Sequence, residues 1–136
     1  MIILEEPIIS FEAYKIDKFI YSHEPIENMD FKEEFNLSVS PSLTEDLSSG
    51  LLAVEVKLNV KEKYIFLKLS AFFNIGENFK TESQEEQIEK ALVVNGTAIV
   101  FPYLRSTISM VSSLDSEDII ILPTINTTTL EKTDLD

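Results

Sequence analysis

The sequence predicts an α+β domain in which a four-stranded antiparallel sheet carries a long helix on one face. Two observations lead to this class. Apolar residues alternate with polar ones over 52–60 and, less strictly, over 64–75, which is the period of a strand with one buried face. Over 97–114 apolar residues recur at intervals of three and four, which is the period of a helix packed on a core.

Four segments are predicted as strands, at 8–21, 34–41, 52–60 and 64–75. The last three follow one another through short links, which favours an antiparallel meander. The first strand reaches the second through a longer segment, 22–31, whose Pro, Asn and Asp residues are typical of a loop or crossover. Because the helical patterns come after the strands, the helices are expected on one face of the sheet.

The fourth predicted strand has two apolar faces. One face would line the core with Ile65, Leu67, Leu69, Ala71, Phe73 and Ile75. The other carries Tyr64, Phe66 and Phe72 beside Lys68 and Ser70. Three aromatic side chains on one strand face are rarely left to water. A partner subunit, a ligand or the chain's own crossover loop would each cover them equally well.

The helical pattern over 97–114 has a single apolar stripe, formed by Val100, Leu104, Ile108 and Val111 with Phe101 beside it. This helix is apolar enough to be buried on more than one side, so we expect it to pack on the sheet and on something further. An earlier helical stretch begins near Ser83, and Asn95-Gly96 is predicted to interrupt the helix between the two.

The composition describes one globular domain with an acidic surface. The chain has 136 residues and a formal net charge of −13, so nucleic acid is not an expected partner because its phosphates would be repelled. There is no Cys and no basic, apolar secretion signal at the start, which favours the cytoplasm, and no apolar run has the length of a membrane span. We assign 1–126 to the domain and expect 127–136, a short acidic tail, to be frayed.

No catalytic constellation is found in the sequence. His23 is the single His, and no nucleophile motif accompanies it. The three Gly residues are not clustered, so no phosphate-binding loop is expected. Glu85, Glu86 and Glu89 have no His or Cys companions and are typical of a solvated helix face. The sequence therefore predicts a protein that is not an enzyme and needs no cofactor or metal.

One family resemblance lies in the second half of the chain. It is carried by Phe101-Pro102-Tyr103-Leu104-Arg105, then Ile108 and Val111, then Leu122-Pro123-Thr124-Ile125-Asn126. This pattern resembles the bacterial export chaperone SecB, and Phe73-Asn74-Ile75 is similar to the end of that family's fourth strand. The predicted order of four strands and then a helix agrees with the family's topology.

The resemblance implies a small protomer that assembles as a dimer or dimer of dimers and holds unfolded polypeptides in apolar grooves. Under it, the candidate client-binding residues are Phe31, Phe35, Tyr64, Phe66 and Phe72. The candidate assembly residues, on the long helix, are Phe101, Tyr103, Leu104, Ile108 and Val111.

Three departures from the family pattern bear on the partner. Phe66 stands where the family's docking surface for the translocase ATPase has an acidic residue, and Ser70-Ala71-Phe72 replaces a Gly-rich step. The aromatic-rich terminus of the family is missing. Export therefore stays open, and so does an alternative: an interaction module of the same fold that binds one folded partner or an antitoxin-type client.

Overall fold

The computed structural model describes residues 6–115 and 119–133. Its four strands are β1 (Ile9–Ser22), β2 (Phe35–Leu43), β3 (Ser49–Val60) and β4 (Lys63–Ile75). Its two α-helices are α1 (Glu85–Ala91) and α2 (Thr97–Leu114), which are joined by a π-helical turn at Leu92–Gly96. Short 3₁₀ turns lie at Glu77–Phe79, Glu82–Gln84 and Thr127–Thr129.

The strands form one antiparallel sheet in the order β1-β4-β3-β2. Residues 23–34, here called the crossover loop, carry the chain from β1 at one edge to β2 at the other. The predicted fold class is confirmed. β2 differs from its predicted extent because it continues through Pro41 to Leu43. An edge strand tolerates Pro when the missing N–H would point away from its neighbour.

A two-residue turn joins β3 to β4. Val60 pairs with Lys63, so the turn residues are Lys61 and Glu62, with φ values of 53° and 60°. Two successive positive φ angles define a type I′ turn, whose twist matches that of the flanking strands. Neither turn residue is the Gly or Asn that normally marks such a turn.

The core lies between one face of the sheet and the helices. The inward residues of β3 and β4 are buried, as their alternation predicted. They are Leu52, Val54, Val56, Leu58, Ile65, Leu67, Leu69, Ala71, Phe73 and Ile75. From α2, Val100, Leu104 and Ile108 pack into the same cluster without exposed surface. Burial of this continuous apolar layer is the main source of stability.

The helix is not broken at Asn95-Gly96 but passes through the π-helical turn. A Cβ atom at Gly96 would lie 3.2 Å from Leu52 Cδ2 and 3.3 Å from Phe73 Cζ. The glycine therefore lets the helix backbone approach the sheet closely. The predicted interruption near Asn95-Gly96 is thus a π-helical turn within a continuous helical segment, and Gly96 permits close packing on the sheet.

The segment after α2 folds back over the helices. Ile120 N donates to Ser112 Oγ at 2.9 Å, and Ser109 Oγ donates to Ile120 O at 3.1 Å. Ile120 and Leu122 are buried, and Ile125 and Leu130 pack partly against the core. Of the tail that was expected to be frayed, 127–133 is thus in contact with the domain, and 134–136 lie outside the described residues.

One helical region, Glu82–Leu114, is long and apolar enough to cross a membrane by length and composition alone. Half of its most apolar window is buried inside the fold. The core helix of a folded domain meets the same criterion, so this is weak evidence for a span.

Candidate functional site

The outer face of the sheet, opposite the helices, carries the aromatic row that was predicted on β4. Tyr64 and Phe72 are half-buried there, and Phe66 is only 6% exposed. The Phe31 ring of the crossover loop meets the Tyr64 ring edge to face, with the centroids 5.4 Å apart. The chain's own loop therefore covers one end of this row. We call Phe31, Tyr64, Phe66 and Phe72 the outer aromatic row.

A cavity of about 280 Å³ lies where the crossover loop meets the sheet. It is lined by Asp30, Phe31, Lys32, Glu33, Asn36 and Lys57. Further along the outer face, the Lys15 ammonium lies 5.9 Å from the centre of the Phe72 ring, and Lys68 Nζ lies 3.9 Å from Glu55 Oε1. The surface combines aromatic rings with charges of both signs.

Phe35 lies on the other side of the sheet. Its partner in the β2–β3 register is Leu58, a core residue, and Phe35 packs partly against the core. It borders a cavity of about 250 Å³ together with Leu58, Val60 and Leu122. The five candidate client-binding residues therefore do not share one surface. Alternate residues of a strand share one face, so Phe35 lies on the same face as Leu37 and Val39. This alternation was the signal that could have separated Phe35 from the other four candidates.

The candidate assembly residues also fall into two groups, one buried in the core and one at the surface. Phe101, Leu104 and Ile108 are buried in the protomer's own core, so their side chains are not available to a second subunit, and Val111 is half-buried. Tyr103 is exposed. The predicted stripe is therefore the face that packs on the sheet, and this corrects its assignment to assembly. The apolar side chains of α2 that do face outward are Ile99, Tyr103, Met110 and Leu114.

These outward residues continue onto β1. Tyr14 and Ile16 are 39% and 47% exposed, and Tyr103 and Met110 are 38% and 61% exposed. The rings of Tyr14 and Tyr103 stack with centroids 4.7 Å apart, which joins strand and helix into one surface. We call Tyr14, Ile16, Ile99, Tyr103 and Met110 the β1–α2 patch. Sequence reasoning predicted a strand here but did not identify Tyr14 and Ile16 as surface residues. The alternation of β1 is shifted by two irregularities in the register, between Phe11 and Ala13 and between Ile16 and Lys18.

β1 is an edge strand, with β4 as its neighbour in the sheet. Seven successive residues, 12–18, are exposed. Such an edge presents backbone donors and acceptors to any further strand. Next to exposed aromatic and aliphatic side chains, it has the composition of an interface rather than of ordinary protein surface.

His23 lies beside a carboxylate at the end of α2. His23 Nε2 lies 2.6 Å from Asp115 Oδ2, and Tyr21 Oη donates to the same oxygen at 2.9 Å. These contacts join the end of β1 to the end of α2, and His23 is paired with a carboxylate rather than with a serine. Within residues 6–115 and 119–133, no group of three or more His, Cys, Asp or Glu could hold a metal ion.

The loop between β2 and β3 holds a carboxyl with a strongly lowered pKa. Asp46 accepts hydrogen bonds from Ser48 Oγ at 2.7 Å, Ser48 N at 3.0 Å and Thr44 Oγ1 at 2.9 Å. The contacts with Ser48 and Thr44 favour the carboxylate and lower the pKa of Asp46 from 3.8 to about 2. Asp46 is exposed, and its hydrogen bonds to Thr44 and Ser48 hold the loop in shape.

The molecule is an α+β domain whose sheet carries helices on one face and a crossover loop on the other. Its fold is the SecB-like fold, and the resemblance predicted from the sequence is confirmed. No family model matches the chain. The protein-export protein SecB of Anaplasma phagocytophilum (strain HZ) is 33% identical over 86 residues, which cover 57% of this chain and 52% of the relative. The chain thus matches about half the length of that curated relative.

Two solved structures share the fold. One is the SecB-like chaperone Rv1957 of Mycobacterium tuberculosis in complex with a ChAD peptide from the HigA1 antitoxin, with a TM-score of 0.61 and 11% identity over 86% of this chain and 90% of that one. The other is a protein of unknown function from Streptococcus agalactiae, with a TM-score of 0.57 and 13% identity over 85% of this chain and 97% of that one. At these identities the likeness is one of fold.

Proposed function

We propose that the protein is a SecB-like chaperone that holds unfolded or aggregation-prone polypeptides, without catalysis, nucleotide or metal. The observation that carries the proposal is the SecB-like fold, which it shares with a chaperone solved with a bound peptide. The sequence match to a protein-export SecB supports the same function. We also propose that it works in the cytoplasm, which the absence of Cys supports.

We propose the outer aromatic row as the client surface. Tyr64 and Phe72 are partly exposed, and the cavity under the crossover loop lies beside Phe31. Aromatic side chains provide a large contact area with few rotatable bonds, so they bind varied sequences at low entropic cost. A client segment would lie along this row after a small displacement of the loop. Phe35, on the helix side, would act only by supporting β2.

The acidic surface suits this task in two ways. A net charge of −13 keeps a protein with exposed apolar surface soluble, and it attracts basic segments of a client. Charge attraction alone would not distinguish folded from unfolded chains. Contact with aromatic residues would, because a folded chain has already buried its apolar side chains.

We propose that protomers assemble through the β1–α2 patch, as a dimer or a dimer of dimers. Pairing of two β1 edges would satisfy their exposed backbone groups and would bury Tyr14 and Tyr103 against their counterparts. This arrangement leaves the outer aromatic row free on each protomer.

A second function has one observation in its favour. Phe66 is only 6% exposed, which fits a module that binds one particular partner at a smaller surface. Because Phe66 is apolar and covered where the family docks the translocase ATPase with an acid, we propose that the chain serves its client without that docking step. An antitoxin-type client fits this version.

The test uses one probe in two states. Ribonuclease A that has been reduced and carbamidomethylated is unfolded, whereas the native enzyme has nearly the same charge and is folded. We expect the unfolded form to bind at micromolar concentration in about 0.15 M salt, where attraction between exposed charges is largely screened. Failure to bind the unfolded probe, together with failure to suppress its aggregation, would contradict the proposal. Equal binding of both states would favour the folded-partner module.

A further inference from the structure

Arg105 is the one arginine of the chain and belongs to the motif that carries the family resemblance. It lies half-buried on α2, next to the core residue Leu104. Its Nε atom is buried and has no hydrogen-bond partner within residues 6–115 and 119–133, and no carboxylate of those residues forms an ion pair with it. A partly buried guanidinium without a partner is unfavourable, so an anion beside it would be stabilising.

Arg105 borders a cavity of about 170 Å³ between α2 and the segment that follows it. Apart from the guanidinium and two hydroxyl groups its side chains are apolar, and the other lining residues are Ala98, Phe101, Pro102, Thr124, Ile125 and Thr127. No carboxylate lines this cavity, whereas carboxylates line both the cavity under the crossover loop and the one beside Phe35. In a chain with 24 acidic residues, this cavity thus holds a cation that no neighbouring acid neutralises.

Pro102 adds a hydrogen-bond acceptor to the same cavity. It lies inside α2, where any other residue would donate its N–H to the carbonyl four positions earlier. Because proline has no N–H, the carbonyl of Ala98 lacks its usual helical donor. Ala98 is exposed and lines the cavity. A ligand with an N–H group can therefore supply the donor that proline removes.

Two threonines on the other wall contribute hydroxyl donors. In the neighbouring 3₁₀ turn, the hydroxyl groups of Thr128 and Thr129 bond to Asn126 at 2.6 and 3.2 Å. The hydroxyl groups of Thr124 and Thr127, which line the cavity, make no such bond in the described part of the chain. Both are therefore able to donate to an anion that lies beside Arg105.

The size and the polar groups of the cavity define the class of ligand. An apolar cavity of about 150 Å³ holds benzene, so about 170 Å³ accommodates an aliphatic side chain of the size of leucine. The planar guanidinium offers parallel donors that match a carboxylate. An N–H close to that carboxylate would match the Ala98 carbonyl. An apolar amino-acid residue with a free α-carboxylate combines all three groups.

We propose that this cavity binds an apolar residue through its free α-carboxylate, with the carboxylate on Arg105 and the N–H on the Ala98 carbonyl. The apolar side chain lies against Phe101 and Ile125. The last residue of a polypeptide and a free N-acyl amino acid share this chemistry. The cavity lies on the helix side of the sheet, opposite the outer aromatic row, so this inference does not depend on the proposed chaperone function.

The first experiment compares a carboxylate with its amide. The probes are N-acetyl-leucine and N-acetyl-leucinamide, titrated by calorimetry in about 0.15 M salt, where repulsion by the acidic surface is largely screened. We expect the wild type to bind the carboxylate about tenfold more tightly, as one charge-assisted pair requires. Arg105→Gln should abolish this preference. Lys18→Gln removes the same charge from exposed β1 surface and should retain it.

The second experiment fills the cavity and distinguishes the two sources of the ligand. Ala98→Phe adds a ring from the exposed side of α2 without changing any charge, and it should abolish binding of N-acetyl-leucine although Arg105 remains. Circular dichroism would verify that each variant folds. A flexible Gly/Ser peptide that ends in Leu is then compared with the free N-acyl amino acid. Equal or tighter binding of the peptide supports the site as one for chain ends, and weaker binding supports it as one for small acids.

The outcomes separate this inference from the chaperone function. Equal binding of acid and amide by the wild type, or binding of neither, overturns the inference, and so does an Arg105→Gln variant that keeps the preference. If Arg105→Gln lowers the solution mass and leaves the binding of both probes unchanged, the anion beside Arg105 comes from a second copy of the chain, which also overturns the inference. Failure to bind unfolded ribonuclease A, with the carboxylate preference intact, would contradict the chaperone function alone.

Discussion

The two edges of the sheet differ in what lies against them. The β1 edge is exposed over 12–18 and lies beside the apolar β1–α2 patch, whereas the β2 edge is occupied by residues 130–133 through a few weak contacts. A large apolar surface suits a lasting partner, and a small polar contact suits an exchangeable one. The β1 edge is therefore the one that we propose for assembly, whereas the β2 edge is already in contact with the chain's own residues 130–133.

The comparison depends on which row of α2 belongs to the core. Leu104→Ala should lower the free energy of unfolding by about 3 kcal/mol, because it removes a fully buried side chain and leaves a cavity. Met110→Ala, on the exposed row, should change it by less than about 0.5 kcal/mol. Urea unfolding at a protein concentration where the assembly state is constant measures both. Similar losses for the two variants would mean that the rows have been assigned wrongly.

A charge placed at each edge compares the edges directly. Tyr103→Asp should weaken self-association about a hundredfold, because an aromatic contact near the centre of an interface is replaced by a desolvated charge. Ser42→Asp introduces the same charge at an exposed position of β2 and should leave the solution mass unchanged. Analytical ultracentrifugation measures the solution mass of both variants. A wild-type protomer that stays monomeric would remove the assembly role of the β1 edge.

The tail bond should matter little for stability. Thr133→Pro should lower the free energy of unfolding by about 1 kcal/mol, the usual net worth of one hydrogen bond. Thermal unfolding of Thr133→Pro and of Thr133→Ala gives the difference between their free energies of unfolding. A loss of several kcal/mol would show that the tail is a structural part of the core, and the contrast between the edges would disappear.

The smallest effect concerns the loop that follows β2. Because folding lowers the pKa of Asp46 from 3.8 to about 2, its carboxylate contributes stability that is present above pH 4 and lost as the pH falls through about 2. Asp46→Asn should therefore be less stable than the wild type at pH 5, and the difference should shrink towards pH 2. Melting temperatures across this range test it. A constant difference would contradict the lowered pKa.

Sequence patterns predicted the rows of β3 and β4 because each alternates around one buried face. They did not separate the two rows of α2, since an apolar stripe looks the same whether the chain's own sheet or a neighbour covers it. Leu104 and Ile108 were assigned to assembly for that reason, while Met110 was overlooked.

Other features depend on contacts distant in sequence. The bond between Thr133 and Val39 has no local signal, and the Thr-rich composition of the tail suggested fraying. Pro41 was taken as the end of β2 because Pro cannot donate to a ladder, and the edge position that tolerates it is a property of the whole sheet. The SecB-like pattern around Phe101–Arg105 identified the fold without locating the surfaces.

The most direct test of the central claim is the binding of ribonuclease A in its two states, measured by fluorescence anisotropy in about 0.15 M salt, where charge attraction is screened. The account predicts micromolar binding of the reduced, carbamidomethylated form and no measurable binding of the native enzyme. Equal affinity for both forms, or affinity for neither, would contradict it.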